Sequence, residues 1–201
     1  MKNVLVIHPK DKSTDFLYPI YENLPNKTVV TGDVTKDELI ELIHLHDQVI
    51  MLGHGSPNGL MSVGQFLGQG PYIIDNSIVS ALKHKNNNIF IWCNADKFVN
   101  KHDLNGLYSG MFISEVMEAT YCGVLGVTQE QVNESNDEFA DMLGLCLTQY
   151  NKGIKYSLHE VYHHIDDAYR MLAQTNPVAK YNCVRWYINW KGKADLVSLH
   201  R

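Results

Sequence analysis

Val49-Ile-Met-Leu-Gly-His54-Gly55-Ser56 is the stretch that decides how this chain is read. Its first four residues form a continuous apolar run of the kind buried on both faces of a parallel sheet. The run stops at a glycine, and the first functional side chain after it is an imidazole. A second run, Asn88-Ile-Phe-Ile-Trp-Cys93-Asn94, repeats the plan and delivers a thiol where the strand ends. In an open parallel sheet, ligands bind in the crevice outside the carboxyl ends of the strands. An imidazole and a thiol arriving there from neighbouring strands make a candidate nucleophile and its acid–base partner.

Outward from these two runs, strand and helix patterns alternate. Lys2–Ile7 is a first apolar strand, Phe16–Leu24 a short helix interrupted by Pro19, and Lys27–Val30 a second strand. Thr35-Lys-Asp-Glu38 is a capping-box pattern that opens a helix with an apolar stripe at Leu39, Ile40, Leu42 and Ile43. Gln48–Leu52 is the third strand, and Gly53 to Gly59 is dense in turn residues. Tyr72–Ile74 is a short extra strand, Ser77–His84 a helix, and Ile89–Trp92 the strand before Cys93. Beyond it the pattern predicts a helix over Met111–Ala119, a strand over Tyr121–Val127, and a helix opened by Ser135-Asn-Asp-Glu138 and ended by Gly153. Ser157-Leu-His-Glu160 caps another helix to about Gln174, Asn176-Pro177 closes it, and Cys183–Trp190 is a last aromatic strand. Strands separated by helical segments imply parallel pairing, so the expected fold class is α/β: a three-layer α/β/α sandwich with a mainly parallel sheet. A chain of 201 residues without repeat or linker is expected to be a single domain over 1–201.

Composition narrows the function classes. The formal net charge is −5 and no Lys/Arg block occurs, which argues against a nucleic-acid partner. No apolar run approaches the roughly 20 residues that span a bilayer, so no membrane partner is expected. The chain runs from Met1 into a strand with no small-residue cleavage site, and its four cysteines (Cys93, Cys122, Cys146, Cys183) contain no C-x-x-C pair. Both features lead to the expectation of a reduced, cytoplasmic protein. Cys122, Cys146 and Cys183 lie inside apolar periodic segments and are expected to be packing groups, whereas Cys93 sits at a strand-to-loop transition.

Glycine on both sides of His54 strips that loop of side chains, and the Gly55 amide is placed to donate to an oxyanion. His54 and Cys93 are 39 residues apart, the length of one strand–helix crossover with a short insert, which brings consecutive strands side by side. His159-Glu160-Val161-Tyr162-His163 fits the H-E-x-x-H zinc pattern. However, Glu160 belongs to the Ser157 capping box, and the apolar stripe of Leu158, Val161, Ile165, Ala168 and Leu172 turns both histidines toward solvent. No metal site is therefore expected. Gly53-x-Gly55-x-x-Asn58 lacks the third glycine of a dinucleotide fingerprint, and Gly55 to Gly59 places its serine wrongly for a nucleophile elbow. The aromatic group Tyr181, Trp186, Tyr187 and Trp190 is most simply a core edge strand.

Gly53-His54-Gly55 after one strand, a crossover, and Ile89–Cys93 on the next resemble the plan of the caspase-like cysteine peptidases. That group includes caspases, metacaspases, legumains, gingipains, clostripain and separases. The order of elements after the cysteine is similar to that of the CHAT-type domains: helix, apolar strand, acidic helix start, glycine turn, helix and final aromatic strand. The resemblance implies a caspase-like sheet and a cysteine endopeptidase that cleaves a peptide bond through a thioester acyl-enzyme. Cys93 would be the nucleophile, His54 the acid–base partner, and the Gly55 and Cys93 amides the oxyanion donors. It implies no metal or organic cofactor and a peptide or protein substrate, and it leaves the oligomeric state open. Substrate selection would fall to residues after the first strand, His8, Lys10 and Asp11, together with Asn94 and Asp96 after the cysteine. Lys10 suits an acidic side chain and Asp11 a basic one. Asp96 would raise the thiol pKa. Many relatives place a glycine soon after the cysteine, whereas this chain has Asn94-Ala95-Asp96 and no glycine until Gly106. Two alternatives remain: a catalytically silent interaction module of the same architecture, and a small-molecule or metal-handling α/β protein that uses His54.

Overall fold

The computed structural model describes residues 2–62, 71–153 and 157–189. Its centre is a six-stranded sheet in which β1 (Val4–Ile7) and β3 (Gln48–Leu52) are buried at every position, as the apolar runs Val4–Ile7 and Val49–Leu52 require, with the Gln48 amide bonded to the Asn87 carbonyl and to Asn151. β2 (Lys27–Val30) pairs in parallel with β1, and β1 in parallel with β3. β3 pairs in parallel with β7 (Asn88–Ile91), and β7 with β8 (Gly106–Ser109). β9 (Trp186–Asn189) closes the edge antiparallel to β8, with Trp186 opposite Ser109. The spatial order is β2-β1-β3-β7-β8-β9. Its parallel part is a doubly wound sheet whose strand order reverses between β1 and β3, so the crevice at their carboxyl ends is the natural ligand position.

Successive side chains of a strand point to opposite faces, and each face has its own core. Val4, Val6, Ile50, Leu52, Ile89 and Ile91 pack under α1 (Pro19–Glu22), α6 (Gln129–Asn151) and α7 (Leu158–Leu172). Leu5, Ile7, Val49, Met51, Phe90 and Trp92 pack under α2 (Lys36–Leu45), α3 (Val79–Lys83) and α4 (Ala95–His102). Each fully buried Leu or Ile in these layers is worth roughly 1.5–3 kcal/mol of transfer free energy. The helix starts at Thr35 and Ser157 form complete capping boxes with Glu38 and Glu160, as their sequence spacing predicts.

Several elements differ from the sequence expectations. The turn-rich Gly53–Gly59 stretch contains β4 (Gly55–Ser56) and the start of β5 (Gly59–Met61), which with β6 (Tyr72–Ile74) form a small second sheet. Pro19 does not interrupt a helix. It opens α1 at the first position, after a 3-10 turn over Lys12–Leu17, where its missing N–H costs nothing. The helix expected from Met111 begins only at Val116 (α5, Val116–Tyr121), because Asn182 captures both the N–H and the carbonyl of Ile113 in an extended loop. No strand forms over Tyr121–Val127: Gly123 and Gly126 take left-handed φ values of 78° and 74° and break it into turns. α6 starts at Gln129 on a Thr128/Gln131 box, which leaves Ser135 inside the helix, bonded to the Tyr169 hydroxyl. Asn176-Pro177 opens α8 (Pro177–Asn182) instead of ending α7. Of the expected last strand, Trp190 lies outside the described residues. Among those residues no helix is long and apolar enough to cross a membrane.

Candidate active site

The parallel registers bring His54 and Cys93 to the same edge of the sheet, one at the end of β3 and one at the end of β7. The Gly53 N–H bonds the Ile91 carbonyl at 3.1 Å, which carries the β3–β7 pairing up to the residue before the imidazole. Gly53 has a φ of 138°, outside the range of ordinary side chains, so glycine is needed where the chain leaves β3. His54 and Cys93 then line one cavity with Thr14, Phe16, Trp92, Ser109, Phe112 and Ser114. At about 30 Å³ it has room for one or two water molecules.

The imidazole is fixed from the β1 side. Asp11 caps the Lys12–Leu17 turn by accepting from the Ser13 N–H at 3.0 Å and the Ser13 hydroxyl at 2.9 Å. The Ser13 oxygen is 2.6 Å from His54 Nε2, and the other Asp11 oxygen is 3.8 Å from the same nitrogen. A hydroxyl has one proton, and a carboxylate only accepts. Ser13 therefore donates to Asp11 and accepts from the His54 Nε2–H, which leaves Nδ1 as the basic nitrogen. The chain Asp11–Ser13–His54 spans the point between β1 and β3 where strand order reverses. Sequence reading singled out Asp11 and missed Ser13, although Asp-x-Ser is a recognisable local turn pattern.

Cys93 is half-buried, and among the described residues its hydrogen bonds run to the Phe112 carbonyl at 3.6 Å and to Glu118 Oε1 at 3.9 Å, neither of them to His54. Burial first and the Glu118 carboxylate second push the thiol up to about 12. Glu118 is clamped through its other oxygen, which accepts from the Ser114 N–H and hydroxyl and from the Glu115 N–H. The acid beside the thiol is thus Glu118, not Asp96. Asp96 lies in the first turn of α4, close enough to Tyr108 to help raise that phenol, after burial as the larger cause. Glu118 is 25 residues from Cys93, and no local sequence signal links them.

Among the described residues, neither the Gly55 nor the Cys93 N–H is engaged by a neighbouring strand. The Met61 N–H bonds the His54 carbonyl, so in the β4–β5 ladder residues 54 and 61 form a hydrogen-bonded pair and Gly55–Leu60 a non-bonded one. The Gly55 N–H consequently points away from β5. The Cys93 N–H meets no backbone carbonyl among the described residues, whereas the next two amides bond Gly110 and Trp92. Gly55 also has a packing role that its sequence context concealed. A Cβ there would sit 2.1 Å from Cδ1 of Trp92, so the space is filled by the indole and not kept open for substrate.

The other expected pocket residues divide. Asn94 does not line the cavity. It caps α4 in the left-handed conformation at a φ of 66°, donating its N–H to Gly110, and so supplies without a glycine the backbone turn after the cysteine. His8 is 5% exposed and bonds the Tyr21 hydroxyl at 3.0 Å and the Thr14 hydroxyl at 3.1 Å. Burial holds it neutral, with its pKa lowered to about 4. His8, Lys10 and Asp11 border a second cavity of about 330 Å³ with Asp15, Tyr18, Tyr21 and Thr31. On the opposite flank an open cleft runs between the Lys12–Leu17 turn and the starts of α5 and α6, and it shares Phe16 and Ser114 with the cavity lined by His54 and Cys93. His159 and His163 face solvent on α7, and Glu160 spends its carboxylate on the Ser157 cap. No group of three metal-binding side chains occurs among the described residues. No protein-family model matches the chain, and no curated protein matches its sequence.

Proposed function

We propose that the chain is a caspase-like cysteine hydrolase that cleaves a peptide bond, with Cys93 as nucleophile and His54 as acid and base. One observation carries this reading: an imidazole and a thiol from the carboxyl ends of two adjacent parallel strands line a single cavity. The Asp11–Ser13 anchor supports it, because a fixed Nε2–H tautomer frees Nδ1 for proton transfer. In the first half-reaction Nδ1 takes the thiol proton and Sγ bonds the scissile carbonyl carbon. The C–N bond then breaks as the imidazolium gives its proton to the departing amine, which leaves a thioester. In the second, water gives a proton to Nδ1 and its oxygen attacks the thioester, and the C–S bond breaks to return the acid and the thiol. The Gly55 and Cys93 amides, free of strand partners, are the oxyanion donors. A buried, protonated thiol beside a carboxylate is a resting arrangement, so the Phe112–Glu118 side of the cavity must open for substrate.

A catalytically silent module of the same architecture is the second reading, favoured by that same thiol and by a cavity too small for a peptide. Incubation with a peptide library, followed by mass spectrometry, separates the two. The peptidase reading expects cleavage that disappears in Cys93→Ala and His54→Ala and falls about 10- to 100-fold in Ser13→Ala, the equivalent of losing one hydrogen bond to the imidazolium at roughly 1.5–3 kcal/mol. Absence of cleavage by the wild-type chain, or cleavage that survives Cys93→Ala, refutes it.

A further inference from the structure

We propose that His159 and His163, on the exposed face of α7, form a two-imidazole site for a borderline divalent transition-metal ion of the zinc class. The site lies outside the peptidase reading and stands or falls without it.

α7 turns one side to the core and the other to solvent. Leu158, Val161 and Ile165 are buried on the inner side, which leaves residues 159 and 163 on the outer one, and both are exposed. Positions i and i+4 of a helix lie one above the other. The two rings accordingly stand with centroids 5.5 Å apart and planes inclined by 36°. That spacing suits chelation. A metal–nitrogen bond of about 2.1 Å puts an ion about 3.2 Å from the centre of each ring, and a tetrahedral angle between two such bonds sets the centres roughly 5.3 Å apart. The pair therefore needs only about 0.2 Å of closure to share one ion.

The surroundings favour binding. Among the described residues neither imidazole has a hydrogen bond or ion pair to give up. Tyr162 packs edge to face on His163 with centroids 5.3 Å apart, and it stacks in turn on the buried Trp186 at 6.4 Å. A ring backed in this way loses less freedom when it is fixed on an ion. Glu160 accepts from the Ser157 N–H and hydroxyl at 2.6 and 3.0 Å, so its carboxylate stays on the helix cap.

Imidazole nitrogen suits zinc, whereas magnesium and calcium take oxygen ligands. No third metal-binding side chain joins the pair among the described residues, so two positions of a four-coordinate ion fall to water. The site is thus not a metallopeptidase centre, which needs a third protein ligand and a free glutamate base. It revises the expectation of no metal site: capping removes the base of the H-E-x-x-H pattern but leaves its two imidazoles available.

The test titrates the full chain, carrying Cys93→Ala so that the thiol takes no ion, with zinc chloride by isothermal calorimetry at pH 7.5. One equivalent of zinc is expected to bind, and magnesium chloride is expected not to. His159→Gln and His163→Gln keep a side chain compatible with a helix. Each should weaken zinc binding about a hundredfold, because the gain from joining two ligands on one scaffold is lost. His84→Gln, at an exposed histidine after α3, should leave the affinity unchanged. Zinc should also raise the unfolding temperature of the parent chain and not that of either α7 variant. No zinc binding by the parent chain, binding that survives in either α7 variant, equal binding of magnesium, or an equal loss in His84→Gln overturns the inference.

Discussion

Replacing Glu118 with glutamine removes a negative charge 3.9 Å from the Cys93 sulfur and keeps a carbonyl oxygen for the Ser114 and Glu115 donors. Two unit charges at that distance interact by about 4 kcal/mol at an effective dielectric constant near 20. At ~1.4 kcal/mol per pKa unit this sets a ceiling of roughly three units. Glu118 is half-exposed and burial is the larger cause of the raised thiol, so solvent screening brings the expected shift nearer to about one unit. Well below its pKa, a thiol with a pKa one unit lower is tenfold more ionised at any given pH. The thiolate's intrinsic nucleophilicity falls with a Brønsted slope of about 0.5, so the net gain in alkylation is about threefold per unit. The assay follows iodoacetamide modification of the Cys93 peptide by mass spectrometry between pH 7 and 9, with Cys146 on α6 as the internal reference. In the wild-type chain the rate should climb about tenfold per pH unit with no plateau, as a thiol at about 12 requires. In Glu118→Gln it should be about threefold higher at each pH, and up to about thirtyfold if the full Coulomb term is expressed. A folded Glu118→Gln protein whose Cys93 reacts at the wild-type rate, or a wild-type rate that levels off near pH 8, refutes the reasoning.

Two further predictions concern stability. His8 has its pKa lowered from 6.5 to about 4, so the stability owed to its neutral form is fully present above pH 6.5 and drains away as pH falls through 4. The linkage amounts to roughly 2.5 kcal/mol by pH 4.5. Urea unfolding at pH 7.5 and 4.5 should show that loss in the wild-type chain and a flatter dependence in His8→Gln; equal slopes in the two proteins would refute it. Gly55→Ala pushes a Cβ to 2.1 Å from the Trp92 ring and should cost about 1–3 kcal/mol by thermal unfolding. Trp92→Leu in the same chain should recover part of that cost, and strictly additive losses would show that the clash is elsewhere.

Much of this molecule is legible in the sequence because its signals are short-ranged. Unbroken apolar runs at Val4–Ile7 and Val49–Leu52 announce strands buried on both faces, and Thr35/Glu38 and Ser157/Glu160 announce helix starts three residues apart. The same logic placed His54 and Cys93 at strand ends. It failed where a long-range partner overrode local pattern. Ile113 is kept out of a helix by Asn182, 69 residues away, and Ser135 looks like a helix start only until Tyr169 is seen to bond it within α6.

By itself, then, the sequence determined the alternation of strands and helices and the two reactive side chains at the carboxyl ends of β3 and β7. Only the tertiary structure decided what those side chains can do. It set Ser13 on His54 from 41 residues away and Glu118 beside Cys93 from 25, and it assigned Gly55 to the Trp92 indole and Asn94 to the left-handed turn. The physical reason is one of range. Periodicity and capping act over three or four residues, whereas an imidazole's tautomer and a thiol's ionisation are fixed by whichever donors and charges the packed sheet brings within about 4 Å.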